Sequence, residues 1–316
     1  MFKKLKFTKI NNGIVTPFKS IDDNNHIYEG GIYNSKGNLI KSSIRDYDSD
    51  CLYKYNDIHE IDIEDFLFVP SNSVFIGHIT NHYGHFLLET MSRFWVFLFN
   101  YLHKFQIKNI VFIKWIDENY KYNLFEIISN MLNLNKYKII FVNEPTKFEN
   151  IFIPQKLCNI NKKILIEQKF IYDELLKSCY FNPNAKIHKK IYITRFRGSK
   201  RVKNENDIIN LFKKYNFYIL NPEVKNFRND IFLYKQATII AGLDGSNLHN
   251  VVFANNKTNL IYISSQRNLV ANQVQCNKLK SIKMYFIPYY QTVKDNFDIN
   301  FLEMQLNLYL EILTKK

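Results

Sequence analysis

Residues 237–253 read A-T-I-I-A-G-L-D-G-S-N-L-H-N-V-V-F. Thr238–Ala241 is a short β-branched and apolar run, the composition of a buried strand. Gly242 and Gly245 bracket a tight turn, and Ser246 suits the N-cap of a helix whose apolar positions are Leu248, Val251 and Val252. A strand that feeds a glycine turn and a helix start presents unpaired backbone N–H groups to an anion, with the helix dipole behind them. The same pattern also builds an ordinary structural corner. Its meaning depends on what the rest of the chain brings to it.

The neighbouring sequence alternates strand and helix. Ile191–Thr194 and Phe217–Leu220 read as strands, and Glu205–Tyr215 and Arg228–Gln236 as helices, before the quoted stretch; the strand Asn259–Ile263 follows it. The helix at Glu205 has Asn204 at its N-cap, Glu205 and Asp207 in its first turn, and Ile208, Phe212 and Tyr215 on one face. A terminal helix over Asp298–Leu313 is expected to cross back to the first half of the chain. That first half alternates too. Val74–Ile79, Ile110–Ile113, Lys138–Val142 and Ile151–Pro154 read as strands, and Tyr120–Leu134 and Ile164–Cys179 as helices. A nearly all-apolar helix is predicted from about Gly84 to Phe105, buried on most sides. Residues 1–65 are strand-rich, with Ile27–Tyr33 and Asn38–Ile44 flanking the turn Asn34-Ser35-Lys36-Gly37 as a hairpin. The polar stretch Phe181–Lys189, with Pro183, separates two domains, 1–180 and 181–316. The fold class is α/β, with two facing Rossmann-like domains after a strand-rich N-terminal segment.

Composition narrows the function classes. With 316 residues and 46% hydrophobic content, the chain buries a large core and is not disordered. Its net charge of +14 suggests polyanionic partners: nucleic acid, an anionic membrane face or a phosphorylated donor. Abundant Lys, Asn, Ile, Phe and Tyr also fit an AT-rich genome, which accounts for part of that charge. Cys51, Cys158, Cys179 and Cys276 lie far apart, without zinc or redox spacing. Met1-Phe2-Lys3-Lys4-Leu5-Lys6 is basic but leads into no apolar core of a signal peptide. The apolar run Phe94–Leu102 is broken by Asn100 and falls short of a membrane span. A cytoplasmic protein is expected, with any membrane contact peripheral.

The residues that carry chemistry fall in two groups. After the strand Ile191–Thr194 come Arg195, Arg197, Lys200, Arg201 and Lys203. In a parallel sheet, ligands bind outside the carboxyl ends of the strands. Arg195 and the Gly242–Ser246 turn both lie at such ends, so arginines and a helix start share one rim and form a diphosphate clamp. A solvated basic loop is the alternative. The first half offers His78, His82 and His85, then Glu89 and Arg93. The histidine spacing hints at a metal, but the glycines and Thr80 and Asn81 break the shared face, and no carboxylate set completes it. Glu89 and Arg93 read as an i, i+4 ion pair. His85, at a helix start, is the better acid–base candidate. No G-x-G-x-x-G, phosphate-loop lysine motif or G-x-S-x-G elbow is present. Aromatic residues interleaved with the basic ones leave single-stranded nucleic-acid binding open, although core packing explains most of those aromatics.

Taken together, three segments resemble glycosyltransferase family 61, which includes bacterial capsular-polysaccharide enzymes and eukaryotic xylosyl- and N-acetylglucosaminyltransferases. His82-Tyr83-Gly84-His85-Phe86-Leu87-Leu88-Glu89, running on to Arg93-Phe94-Trp95, is similar to the family's asparagine-x-x-histidine-phenylalanine helix start. Tyr192-Ile193-Thr194-Arg195 with Arg201, Asn204 and Glu205 resembles its basic loop and Asn-Glu pair. Ala241–Asn250 resembles its glycine-rich turn. The chain departs from the pattern with Asp244 where members usually carry His, Asn247 for Gly and His249 for Thr. Tyr262 stands where an acidic residue often follows the last strand.

The resemblance implies a GT-B fold and inverting, metal-independent transfer from a nucleotide sugar, usually a uridine diphosphate sugar, to a glycan or lipid-linked glycan. It assigns the acceptor to domain 1–180 and the donor to domain 181–316. His85 is the expected base, with Glu89 and Asp244 as other catalytic candidates. Arg195, Arg201, Asn204, Glu205, Gly245, Ser246, Asn247 and Asn250 are the expected donor-binding residues. No cofactor, resident metal or nucleic-acid partner is implied. Asp46-Tyr47-Asp48 matches the acid-x-acid pattern of metal–diphosphate sites, but reads better as a solvated turn. The departures at Asp244, Asn247, His249 and Tyr262 fall where the ribose and base would be held. They point to an unusual donor or to a non-catalytic relative acting as an assembly partner.

Overall fold

The computed structural model describes residues 5–22, 27–44, 66–114, 123–179, 186–195, 202–264, 269–288 and 296–315. The chain divides into two compact units, Met1–Glu174 and Leu175–Lys316.

In the first unit, β1 (Phe7–Asp22), β2 (Ile27–Tyr33), β3 (Leu67–Ile79), β4 (Asn109–Lys114), β5 (Lys138–Val142) and β6 (Thr146–Pro154) form one sheet. Their order is β2-β1-β6-β3-β4-β5. β3 runs parallel to both β4 and β6, and β5 parallel to β4; β1 is antiparallel to β6 and to β2. The strands β7 (Cys158–Asn159) and β8 (Lys163–Ile164) pair separately. The helices are α1 (Tyr83–Leu88), α2 (Tyr101–Lys104), α3 (Asn123–Met131) and α4 (Lys169–Lys177). β4 is apolar almost throughout, as a strand covered on both faces must be. Val15, Phe75, Val111, Phe148 and Ile151 pack in one cluster of its core.

Two sequence expectations are corrected here. The long helix from Gly84 to Phe105 is instead three segments: α1, a 3-10 helix over Thr90–Phe97, and α2. Other donors take the carbonyls that an α-helix would use. Gln168 Nε2 bonds Leu88 O at 2.7 Å, the Tyr172 hydroxyl bonds Leu87 O at 3.0 Å, and Leu157 N bonds Ser92 O at 3.3 Å. With those acceptors engaged, the chain tightens to i+3 bonding. The 34–37 turn forms, with Asn34 Oδ1 accepting from Lys36 and Asn38, but only a single bridge, Tyr33 to Leu39, follows. β2 pairs with β1 instead, and Lys41–Ser43 turns into a 3-10 helix.

The second unit holds β9 (Lys190–Ile193), β10 (Tyr218–Leu220), β11 (Ile239–Leu243), β12 (Asn259–Ile263) and β13 (Lys283–Ile287), all parallel, in the order β10-β9-β11-β12-β13. Its helices are α5 (Glu205–Lys214), α6 (Phe227–Gln236), α7 (Ala271–Lys280) and α8 (Ile299–Thr314). The chain moves outward from β9 to β10, then returns to the other flank of β9 as β11. The order therefore reverses between β9 and β11, the place where open α/β sheets hold ligands. Tyr192 from β9 stacks on Phe212 from α5 at 4.4 Å, joining helix to sheet. α8, the terminal helix, packs on α5 and β13, with the Tyr309 hydroxyl bonding Phe286 O at 2.8 Å. α7 and β13 have no counterpart in the sequence reading. Among the described residues, no helix is long and apolar enough to cross a membrane.

Candidate functional site

The second unit's rim is built around Arg195. β9 ends at Ile193, and Arg195 follows at its carboxyl end. Its backbone N–H donates to Glu205 Oε1 at 2.6 Å, so the first residue of α5 holds the loop against the sheet. Arg195 Nη1 donates to the backbone oxygen of Asp244 and lies 3.2 Å from Asp244 Oδ1. Asp244 follows β11 directly, and its side chain is 4% exposed against 19% for Arg195. The pair thus clasps the carboxyl ends of β9 and β11. Arg195 Nε and Nη2 make no hydrogen bond to the described residues, which leaves part of the guanidinium fork for an anion.

Gly245 completes the seat. Its φ of +154° disfavours any side chain, and a Cβ there would meet the Arg195 guanidinium at 3.0 Å. Ser246 opens the helix rather than capping it. The helix is 3-10 over Ser246–Phe253, with Gly245 at the N-cap position and no side-chain cap. Its first N–H groups have no partner within the helix, the condition that suits an anion.

The other predicted donor residues divide by what they touch. Asn247 Nδ2 donates to Thr194 O at 3.2 Å, tying the turn to the end of β9. Asn250 is buried, with its amide 3.3 Å from the Tyr234 hydroxyl. Asn204 stands at the N-cap position of α5, but its side chain does not cap the helix. It pairs with the backbone of Phe297 instead, donating to the carbonyl at 2.9 Å and accepting from the N–H at 2.8 Å. Arg201 lies outside the described residues, as do Arg197, Lys200, Asp46 and Asp48.

Two of the departures from the family pattern are packed inside the unit. His249 Nδ1 is 3.0 Å from Gln273 Oε1 of α7, and Tyr262 is fully buried and stacks on Phe286 at 6.0 Å. Burial, and then the Asp244 carboxylate, push the Tyr262 phenol well above its usual range.

The first unit's rim carries His85 and Glu89. β3 ends at Ile79, and α1 begins at Tyr83 with His82 at its N-cap. His82 Nδ1 accepts from the His85 backbone N–H at 3.4 Å, and the two rings meet edge to face at 4.6 Å. One turn on, Glu89 Oε2 lies 3.0 Å from His85 Nδ1. The side chains are 24% and 11% exposed, so a nearly buried carboxylate supports a partly accessible imidazole. The sequence reading did not name this His85–Glu89 contact. Arg93 reaches across the sheet: Nε donates to Pro154 O at 3.0 Å and Nη2 to Ser42 O at 2.9 Å, and the guanidinium lies 5.4 Å over the Phe75 ring. His78 packs against Phe18 and Phe75. Among the described residues, no three His, Cys, Asp or Glu side chains are grouped to hold a metal ion.

Chemically, the first rim can move a proton and the second can hold an anion. A neutral imidazole that donates from Nδ1 to Glu89 carries its basic lone pair on Nε2. Comparisons with known proteins bear on both rims. A family model described as Glycosyltransferase 61 matches residues 83–261, a span that starts at α1 and ends in β12. No curated protein matches the chain. Among solved structures, it is similar to a dodecameric iron-containing heptosyltransferase, TibC, in complex with ADP-D-beta-D-heptose. That match has 9% identity and a TM-score of 0.37, covering 98% of this chain and 96% of the other.

Proposed function

The chain belongs to glycosyltransferase family 61, and on that premise we propose that it transfers a sugar from a UDP-sugar to a glycan acceptor with inversion and without a metal. As a glycosyltransferase of this family it takes a nucleotide-sugar donor and a glycan acceptor. The observation that carries the finer reading is Arg195, fixed by Asp244 against Gly245 where the strand order of the second unit reverses. In this reading Arg195 and the first N–H groups of the 246–253 helix stabilise the departing diphosphate. Arg201 adds a second guanidinium. Asn204, Glu205, Asn247 and Asn250 hold the seat in shape.

His85 is the base, and Glu89 its positioning residue. His85 Nε2 takes the proton of the acceptor hydroxyl as that oxygen attacks the anomeric carbon. The bond from the anomeric carbon to the diphosphate oxygen breaks, and the nucleotide leaves with its electron pair. One displacement inverts the anomeric configuration. A GT-B fold belongs to this reading, and in it the enclosed donor and acceptor have their reacting atoms aligned and water kept out. The acceptor belongs to bacterial surface polysaccharide, capsule or lipopolysaccharide, as for the family's bacterial members, and any membrane contact is peripheral.

The test is a transfer assay with a panel of UDP-, GDP- and ADP-sugars against bacterial oligosaccharides, with the anomeric configuration of the product read by NMR. Inverted product from a UDP-sugar, formed equally with EDTA present, is expected. Retained configuration, or activity lost to EDTA and restored by manganese, overturns the mechanism. UDP binding without any turnover favours the non-catalytic assembly partner.

A further inference from the structure

A cavity of about 370 Å³ opens on the first unit beside the rim that holds His85, lined by Lys6, Lys41, Lys156, Thr8, Ser42 and Gln155 among others. Three separate segments build it, and each is pinned to the next. Lys6 and Gln155 are tied through Gln155 N to Lys6 O at 2.8 Å, with the Lys6 N–H 3.4 Å from Gln155 Oε1. The turn at Lys41–Ser43 is held by Arg93, which bonds Ser42 O and, through its other arm, Pro154 O next to Gln155. Lys156 Nζ lies 3.5 Å from Ile44 O.

The same contacts fix where the cavity lies. Gln155 and Lys156 follow the carboxyl end of β6, and His82–Glu89 follows the carboxyl end of β3, its parallel neighbour. Arg93, one turn beyond Glu89, spans both. The cavity and the dyad therefore share one rim, where β6 returns to the flank of β3 opposite β4.

The lining is chemically one-sided. Lys6, Lys41 and Lys156 line it together with Thr8 and Ser42, and among the described residues no carboxylate does. Neutral sugars are held by combinations of acceptors and donors on their hydroxyls. A set of lysines with no carboxylate instead suits the oxygens of an anion, as compact charged donors. The volume is that of a small-ligand pocket.

We infer that this cavity binds an anionic group, a phosphate or a carboxylate, carried by the acceptor, so that the enzyme extends charged rather than neutral glycans. The inference rests on the reading of the first unit as the acceptor side.

The experiment titrates the full chain at low salt with glucose 6-phosphate, glucuronate and glucose, and in parallel with UDP, by calorimetry. At least one charged sugar should bind at least tenfold more tightly than glucose. That preference should shrink as salt rises. Lys6→Gln with Lys41→Gln should weaken charged-sugar binding at least tenfold and leave UDP binding unchanged. Where the double variant fails to fold, Lys41→Gln alone carries the measurement. A response to glucose 6-phosphate alone assigns a phosphate, and one to glucuronate alone a carboxylate. Equal affinity for glucose and both charged sugars, or charged-sugar binding unaffected by the substitutions, overturns the inference. UDP binding that is absent while charged-sugar binding follows expectation leaves the cavity standing and removes the donor reading. Intact UDP binding without the charge preference removes the cavity alone.

Discussion

The two rims solve the same problem by different means. Both lie at the carboxyl ends of parallel strands, at the place in each sheet where the strand order reverses. On the first, His85 and Glu89 sit four positions apart on consecutive turns, so the backbone itself brings them together. On the second, Arg195 meets Asp244 across 49 positions and Glu205 across 10, and only the completed sheet assembles them. A locally built pair can move a proton without any other part of its unit shifting. A long-range clasp must hold a fixed charge, so its geometry depends on the whole fold around it. The first rim should therefore fail chemically when altered, and the second should fail in binding and stability together.

The sharpest break of that contrast is His85→Ala. Loss of a general base commonly costs about 10²–10⁴ in rate. Transfer should fall by that much while calorimetry shows UDP bound as before; near-normal turnover in a folded protein would move the search to Glu89 and Asp244. Glu89→Gln should lower kcat by less, with little change in KM for the donor, as befits a positioning residue. A rise in donor KM with kcat unchanged would place Glu89 on the binding side instead.

On the second rim, Arg195→Ala should weaken UDP binding by about 1.5–3 kcal/mol, the scale of a hydrogen bond to a charged group. The same change strands the buried Asp244 carboxylate, so the unfolding free energy should fall as well. Pairing it with Asp244→Asn should recover stability but not affinity. Recovery of both would mean that Arg195 serves the fold alone. Gly245→Ala introduces a side chain at positive φ against the guanidinium, a strain of roughly 1–3 kcal/mol. Lower thermal stability and weaker UDP binding should appear together; a change in neither would show that the turn relaxes freely.

Legibility in the sequence followed the same division. β5 and β12 were read to the residue, and α5 was read from its first residue, because apolar runs and acidic first turns are local signals. α7 escaped because its inward face is mixed, with Gln273, Asn277 and Lys280 buried beside Cys276 and Leu279. Gln273 and Asn277 are buried and bonded to each other at 2.9 Å, and Gln273 also meets His249, so apolar periodicity had little to show. The spacing of His85, Glu89 and Arg93 was legible, but the choice of partner was not. Arg93 also reaches two carbonyls far along the chain, at Pro154 and Ser42, and Glu89 also meets the imidazole, contacts that spacing alone does not announce. Asn204 was read as a cap on the same local logic, and it too answers to a distant backbone.

A pH-dependent effect on stability alone sits away from both rims. Burial, reinforced by Glu223, raises the Asp230 carboxyl on α6 from 3.8 to about 7, although a backbone N–H at Glu223 offsets part of the shift. A raised folded-state pKa means that the folded protein keeps a proton the unfolded chain has lost. This contribution is full below about pH 3.8 and is lost as pH rises toward 7. The difference in unfolding free energy between the wild type and Asp230→Asn, measured by denaturant titration, should shift against the wild type across that interval. A constant difference would show that Asp230 ionises alike in both states. Transfer assays at fixed pH should be indifferent to the substitution, which separates this carboxyl from those on the rims.

The pairing of Asn204 with Phe297 also gives the molecule a timetable. The two residues are 93 positions apart, and Asn204 lies nine positions after Arg195 in the sequence. At about 5–20 residues per second, a ribosome needs roughly 5–20 s to pass from one to the other. For that interval the nascent chain carries β9 and the start of α5 without the contact that fixes α5 at its first turn. β10, β11, β12 and β13 are all added in the meantime. The rim around Arg195, the proposed seat for the diphosphate, is then among the last features of its unit to be finished during synthesis, after the sheet that supports it.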